Sequence, residues 1–367
     1  MSRDTRLAWI NGLLLPLMNI LTAFAATAIL FLLINVNPIE AAKTLLYGAF
    51  GYGEGIGYTF YYTTNFIFTG LAVAIAFHAG LFNIGGEGQA YIGGLGAGLV
   101  VFMLFPGLSP WLMIPASIFG AMLFGGIWAM APGYLQAYRG SHIVITTIMF
   151  NFLAATLMVY LLVKVLREPG KMTPQSVLFP DNAWLPFVHD VLPAFGIEME
   201  RSPLNLSIVL ALVMAVLVWF FLWQTRWGYA IRATGRNASA AVYAGISQKK
   251  IIMVAMCISG ALAGLVGINE LLGYHHRIIM NFHIGYGFGG IAVALMGRNH
   301  PFGIVIAALL FGTLYQGGAE LAFEWSNISR DIVVVMQGLV ILFCGALEYM
   351  YKPWLVRWLA PVKEVQA

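Results

Sequence analysis

The chain has 367 residues, of which 60% are hydrophobic and only 9% charged, with a formal net charge of +4. A soluble domain carries about 25% charged residues, so these figures exclude a soluble enzyme or binding module and point to a protein dissolved in lipid. The two cysteines, Cys257 and Cys344, fall in apolar runs and read as small fillers rather than a disulfide or metal framework.

A hydrocarbon core of roughly 30 Å needs about 20 apolar residues in a helix, and charge-free runs of that order recur along the chain. They predict an all-α, polytopic transmembrane bundle of about ten spans. The spans fall at 13–34, 59–79, 84–105, 111–137, 141–164, 204–223, 250–272, 284–297, 302–322 and 331–349. The first is too long for a signal peptide and has no small-residue cleavage site behind it, so it reads as a retained span. The third and fourth are divided by the turn Phe105-Pro-Gly-Leu-Ser-Pro110. Residues 1–367 thus form a single transmembrane domain. The segment 40–58, with five glycines beside Leu45, Leu46, Tyr47 and Phe50, reads as a short interfacial piece. The segment 167–203, with six prolines and no periodicity, reads as an ordered outer loop or cap.

With the N-terminus inside, Arg3, Arg6, Arg139, Arg226, Arg232, Arg236, Lys249, Lys250, Arg298, Lys352, Arg357 and Lys363 face the cytoplasm. Lys43, Lys164, Arg167, Lys171, Arg201, Arg277 and Arg330 face outward. Twelve basic residues against seven favour this orientation, with both termini cytoplasmic. Glu40, Glu54, Glu168, Asp181, Asp190, Glu198, Glu200, Glu324 and Asp331 lie at or beyond the outer ends. That bias fits either ordinary solvation or an outer partner with basic contact residues.

Within the spans, Glu87 is the only charge between Gly55 and Tyr138, flanked by Asn83, Gln89 and three glycines. An ionisable group at membrane depth is costly and marks function, and the glycines suit an interrupted helix beside a pathway. Two readings stand: contact with the substrate, or a structural and gating role with hydrogen bonds to the broken helix. Asn151, Asn269, Glu270, Gln316, Glu320 and Gln337 either line a path or bond helices together. The glycine runs at 93–98 and 260–264 let helices approach closely. The pair His275 and His276 points in different directions on any regular element, so no metal site is expected. No set of residues has the spacing of a catalytic site, and nothing points to nucleic acid. A faint echo links Gly70-Leu-Ala-Val-Ala-Ile-Ala with Gly290-Ile-Ala-Val-Ala-Leu-Met.

The connection 225–250 carries five basic residues and no acidic one. Within it Asn237 is placed to cap a short helix, about two turns follow, and Gly245 is a natural stop. So short a helix is marginal on its own and needs a packing partner.

Arg232-Ala-Thr-Gly-Arg-Asn-Ala-Ser-Ala-Ala-Val-Tyr-Ala-Gly-Ile-Ser247, followed by Ser259-Gly-Ala-Leu-Ala-Gly-Leu-Val-Gly267, resembles the signature of ABC-importer permeases for simple sugars, nucleosides and branched-chain amino acids. Leu81-Phe-Asn-Ile-Gly-Gly-Glu-Gly-Gln89 and Gly285-Tyr-Gly-Phe-Gly-Gly-Ile-Ala-Val-Ala-Leu-Met-Gly297 are similar to the same family. The likeness is strongest to the larger of the two permeases that simple-sugar and nucleoside systems often pair. It implies a type II-like permease fold in a bacterial inner membrane. It also implies that Gly235, Asn237, Ala240, Ala241, Tyr243, Ala244 and Gly245 belong to a coupling helix docking on an ABC ATPase subunit. A second, non-identical permease and an extracytoplasmic substrate-binding protein are implied as further partners. The chain has no Gly-x-x-x-x-Gly-Lys-Ser/Thr run, so ATP and magnesium are expected on the ATPase partner. The alternative is a secondary transporter or channel for a small polar solute, which calls for ion-coupling carboxylates deep in the bundle.

Overall fold

The computed structural model describes residues 14–104, 108–283 and 285–359. Phe105, Pro106 and Gly107 of the expected turn, the basic residues Arg3, Arg6 and Lys363, and Ile284 lie outside the described residues. Among the described residues the regular structure is helical, with only two isolated antiparallel bridges, Gln175–Ile279 and Phe187–Asn205.

In chain order, α1 (Leu15–Leu33) is followed by α2 (Pro38–Phe50), α3 (Gly53–His78), α4 (Gly86–Leu104) and α5 (Pro110–Arg139). Then come α6 (Ile143–Tyr160), a single turn α7 (Val188–Val191), α8 (Ser207–Gln224), α9 (Arg226–Arg236) and α10 (Ala238–Tyr243). The chain continues through α11 (Gln248–Gly264), α12 (Tyr286–Met296), α13 (Pro301–Glu324) and α14 (Arg330–Leu359). Wider π turns extend α6 over Leu161–Val165 and follow α11 over Ile268–His275.

Among the described residues, six helical segments are long and apolar enough to cross a membrane: Gly53–His78, Pro110–Arg139, Ile143–Val165, Ser207–Gln224, Gln248–His275 and Pro301–Glu324. The bent pair of α1 and α2 would add a seventh. The expected span 284–297 is an eleven-residue helix, about 16 Å long at 1.5 Å per residue and half a bilayer core. Expected span 84–105 is the glycine-rich α4. Of the ten expected spans, six or seven are thus long apolar helices among the described residues.

The residues divide into two compact units, 52–312 and the described parts of 1–51 with 313–367. In the second unit α1 packs on α2 and α14. Asn37 caps α2 by accepting the amide of Ile39 at 3.0 Å, and Pro38 fits the first turn, where no amide donor is needed. The segment 40–58 is thus helical, the end of α2 and the start of α3, with Ala41, Leu45, Gly48 and Ala49 buried.

In the unit 52–312, α3 is buried along nearly its whole length, against α8, α11 and α12. Helices α4, α5 and α11 pack on one another through backbone contacts that only glycine permits. A β-carbon on Gly264 would strike the carbonyl oxygen of Ala121, and one on Gly93 would strike the Cα of Gly264. The expected glycine seams at 93–98 and 260–264 therefore meet each other and α5. The echoing segments at Gly70 and Gly290 also meet, since α12 lies on α3 with Gly70 beside Val293 and Gly290 beside Thr69. The segment 167–203 forms short turns tied back to the bundle: Ser176 donates its amide to the Ile278 carbonyl at 2.9 Å, and Phe179 to His276 at 2.7 Å.

Candidate functional site

The first group of candidate residues lies where the chain breaks between α3 and α4. Helix α3 ends after His78, and Gly80 takes a left-handed φ of 74° that turns the chain. Before α4 begins, Asn83 Oδ1 accepts the Gly85 amide at 2.9 Å and the Gln89 side-chain amide at 3.1 Å. Its own Nδ2 donates to Gln89 Oε1 at 3.0 Å and to Ser259 Oγ at 2.9 Å. Asn151 reaches over from α6: its Oδ1 accepts the Gly88 amide and its Nδ2 donates to the Ile84 carbonyl, both at 2.9 Å. A helix broken at membrane depth leaves backbone groups that side chains must satisfy. Asn83 and Asn151 do that here, and Gln89 holds Asn83 in place.

Glu87 opens α4 and is 6% exposed. Its Oε1 accepts the amides of Gly287 at 3.0 Å and Phe288 at 3.2 Å. These two donors begin α12, so the carboxylate sits where the helix dipole favours an anion. The hydrogen bonds thus run to α12 rather than to Glu87's own broken helix, which corrects the sequence expectation. Glu87 Oε2 lies 3.5 Å from His283 Nε2. The His283 ring in turn lies against Tyr91, with centroids 4.1 Å apart, and its Nδ1 is buried without a hydrogen-bond partner among the described residues. Tyr91 Oη accepts the Asn281 amide at 3.0 Å. Sequence reasoning missed His283 and Tyr91. Each is an isolated polar group in an apolar run, and only the fold pairs them with Glu87.

Asn269 forms a separate knot in the π-helical turn after α11. Its Nδ2 donates to the Tyr61 carbonyl at 3.1 Å and to Asn65 Oδ1 at 2.9 Å. Its Oδ1 accepts from Asn205 Nδ2 at 2.9 Å and Ser207 Oγ at 2.7 Å. Asn65 also donates to Glu270 Oε1 at 2.6 Å. One side chain thus joins α3, the start of α8 and the π turn. Gln316 belongs to the other unit, where its Nε2 lies 3.5 Å from the Gly48 carbonyl. Of the six residues expected on a pathway or gate, Asn83, Glu87, Gln89 and Asn151 lie together at the break, Asn269 has its own cluster and Gln316 belongs to the other unit.

The connection 225–250 is more helical than expected. Thr225 Oγ1 accepts the Gly228 amide at 3.1 Å and caps α9, an eleven-residue helix the sequence reading left as loop. Gly228, Ile231 and Thr234 bury one face of α9. The guanidinium of Arg232 lies 5.7 Å from the Trp223 ring centroid. Gly235 seats α9 on the end of α3: a β-carbon there would strike the His78 carbonyl oxygen, and the Gly235 Cα lies opposite Gly80. Asn237 then accepts the Ala240 amide at 3.0 Å and starts α10, as its position predicted. Gly245 stops it with a φ of 81°. Ala241 is buried, and the Ile246 amide donates back to its carbonyl at 2.9 Å. Ala240 and Ala244 face outward with Val242 and Tyr243, and Tyr243 is 97% exposed. Of the predicted coupling residues, Ala241 is therefore turned inward and Gly235 acts at the seat of α9.

A multi-pass helical membrane protein that presents a short, capped helix between two spans has the parts of a transport-system permease. Residues 55–345 match the family model described as branched-chain amino acid transport system, permease component. The chain belongs to this family, and it is a permease subunit of an ABC importer. It is 36% identical over 340 residues to the guanosine ABC transporter permease protein NupP of Bacillus subtilis, covering 92% of this chain and 94% of that protein. It is 34% identical to the nucleoside ABC transporter permease protein NupB of Lactococcus lactis, covering 90% of each. With the glucose ABC transporter permease protein TsgB13 of Haloferax volcanii it shares 31% identity, over 92% of this chain and 88% of that protein. No solved structure matches the chain.

Proposed function

We propose that this chain carries a nucleoside or simple sugar across a bacterial inner membrane, in an importer driven by ATP and fed by an extracytoplasmic substrate-binding protein. The observation that carries the reading is α10, a six-residue capped helix that presents Val242 and Tyr243 outward. A helix this short is marginal in water without a partner, and exposed aromatic residues are common anchors in protein interfaces. The partner is an ABC ATPase subunit, which holds ATP and magnesium. Movement of α10 passes through α9 to the end of α3 and the break that follows. This chain performs no covalent chemistry, and its part is to open and close a path. Ten membrane passages with both termini in the cytoplasm agree with the basic-residue bias. The resemblance to the larger of two paired permeases supports a non-identical second permease. The names of the relatives favour a nucleoside over a sugar.

The test is co-expression with the ATPase and binding-protein subunits, followed by uptake of labelled guanosine and ribose. Uptake that stops when ATP is depleted is the expected result. Uptake that survives ATP depletion but collapses with the ion gradient would restore the secondary-transporter reading.

A further inference from the structure

A cavity of about 320 Å³ lies between the first turn of α9, the turn that follows α10 and the start of α11. Arg226, Trp227, Ile246, Ser247, Lys250 and Ile251 line it, so its walls carry two cations and no acidic group. Both cations are exposed, and neither forms an ion pair among the described residues. Helix α8, on which α9 packs, carries an exposed apolar stripe of Val209, Leu212, Val213, Val216, Leu217 and Phe220. Such a face suits acyl chains. Trp227 and Tyr229, 51% and 63% exposed, follow directly and suit the headgroup layer. Arg226 opens α9, just past the extended Thr225 that ends α8.

We propose that this cavity binds the anionic phosphodiester headgroup of a membrane phospholipid. Arg226 and Lys250 supply the charge, Ser247 a hydroxyl donor, and the α8 stripe the track for the chains. Basic pockets between the inner ends of membrane helices bind anionic headgroups in this way. A carboxylate from a partner protein would meet the same two cations. The exposed apolar face of the neighbouring α8, with Trp227 exposed in the cavity wall itself, favours the lipid. The proposal rests on the orientation proposed above, which places the connection 225–250 at the cytoplasmic leaflet. Gly245 and Ile246 form part of the wall, so the bound headgroup lies against the chain that leaves α10.

The experiment uses the assembled permease–ATPase complex in nanodiscs of phosphatidylcholine alone, or of phosphatidylcholine and phosphatidylglycerol in equal parts. Retained lipid is counted by native mass spectrometry. The wild type should retain phosphatidylglycerol preferentially. Arg226→Gln and Lys250→Gln should each lower that retention about fivefold, while Arg226→Lys should preserve it. Equal retention of the two lipids by the wild type overturns the proposal, as does undiminished phosphatidylglycerol retention by the double variant. Inorganic phosphate that displaces the lipid stoichiometrically would assign the pocket to a soluble phosphate and overturn it too. Loss of the ATPase subunit from the double variant in pure phosphatidylcholine would assign the cations to a protein contact. None of these readouts measures uptake, so failure here leaves the transport reading to its own test.

Discussion

Glu87 Oε1 lies 3.0 Å from the amide nitrogen of Gly287, 200 residues further along the chain. The contact joins the start of α4 to the start of α12 and neutralises two amides that have no partner in their own helix. A β-carbon on Gly287 would strike the Glu87 amide nitrogen. Two glycine-rich motifs that look unrelated in sequence are thus the two sides of one anion–helix contact.

Replacing Glu87 tests that contact. Glu87→Ala leaves the Gly287 and Phe288 amides buried and unpaired, at a cost of about 2 kcal/mol. Glu87→Gln keeps an acceptor and loses only the charge, so its thermal midpoint in detergent should lie between wild type and Glu87→Ala. Uptake should follow the same order. Equal midpoints for all three proteins would show that the contact holds nothing.

The two faces of α10 should behave differently. Ala240→Glu and Tyr243→Ala change exposed positions and should leave membrane levels intact while uptake falls at least tenfold, a loss of about 1.4 kcal/mol in coupling. Ala241→Glu puts a carboxylate against the bundle and should lower the amount of folded protein itself. Immunoblotting of membranes beside uptake separates the two outcomes. Normal ATP-driven uptake in Ala240→Glu would refute the docking role.

Gly235→Ala should loosen α9 from α3. The new β-carbon meets the His78 carbonyl oxygen, and overpacking of this kind costs about 1–3 kcal/mol. The expected result is a protein that still co-purifies with its ATPase but hydrolyses ATP without matching uptake. Unchanged stoichiometry between the two rates would remove α9 from the transmission path.

Asn269→Leu should be among the most damaging single changes in the bundle. It strands partners on Asn65, Asn205 and Ser207 together, and each unsatisfied buried group costs about 1–3 kcal/mol. Asn269→Asp keeps the acceptor and loses the donor, so it should recover part of the thermal stability. Differential scanning fluorimetry reads both.

Acid should weaken the packing of the segment 167–203 on the bundle. Burial holds the His276 imidazole below its ordinary 6.5, helped by nearby His275 and Arg277 and opposed by the Leu272 carbonyl and Asp181. Its ring is stacked on Trp184 at 4.0 Å. The folded state therefore prefers the neutral ring. Its stabilising contribution is complete above the unfolded value near 6.5 and is lost as the pH falls through that value toward the lower folded one. Limited proteolysis within 167–203 should quicken over that interval. His276→Gln should flatten the response.

Much of the local architecture was legible because it follows from single residues. Asn237 and Gly245 bracket α10 by cap chemistry and left-handed backbone, and both are where the pattern put them. The glycine seams and the interrupted helix before Gly86 were legible for the same reason. Helix α9 was not. Its polar, glycine-containing sequence has weak helical preference, and it forms because Thr225 caps it and Ile231 packs beneath it. Charge-free length alone also does not tell a long apolar helix from a short one such as the eleven-residue α12, which occupies the expected span 284–297.

Composition, charge bias and a handful of separated motifs were enough to establish a helical membrane permease, since the cost of burying charge in lipid acts residue by residue. Which polar groups meet was decided by the tertiary structure. Glu87 with Gly287, Asn269 with Asn205, and Gly235 with His78 depend on helices distant in sequence arriving side by side. The inward turn of Ala241 was decided in the same way, because six residues of helix have two faces and only the packing against α11 chooses between them.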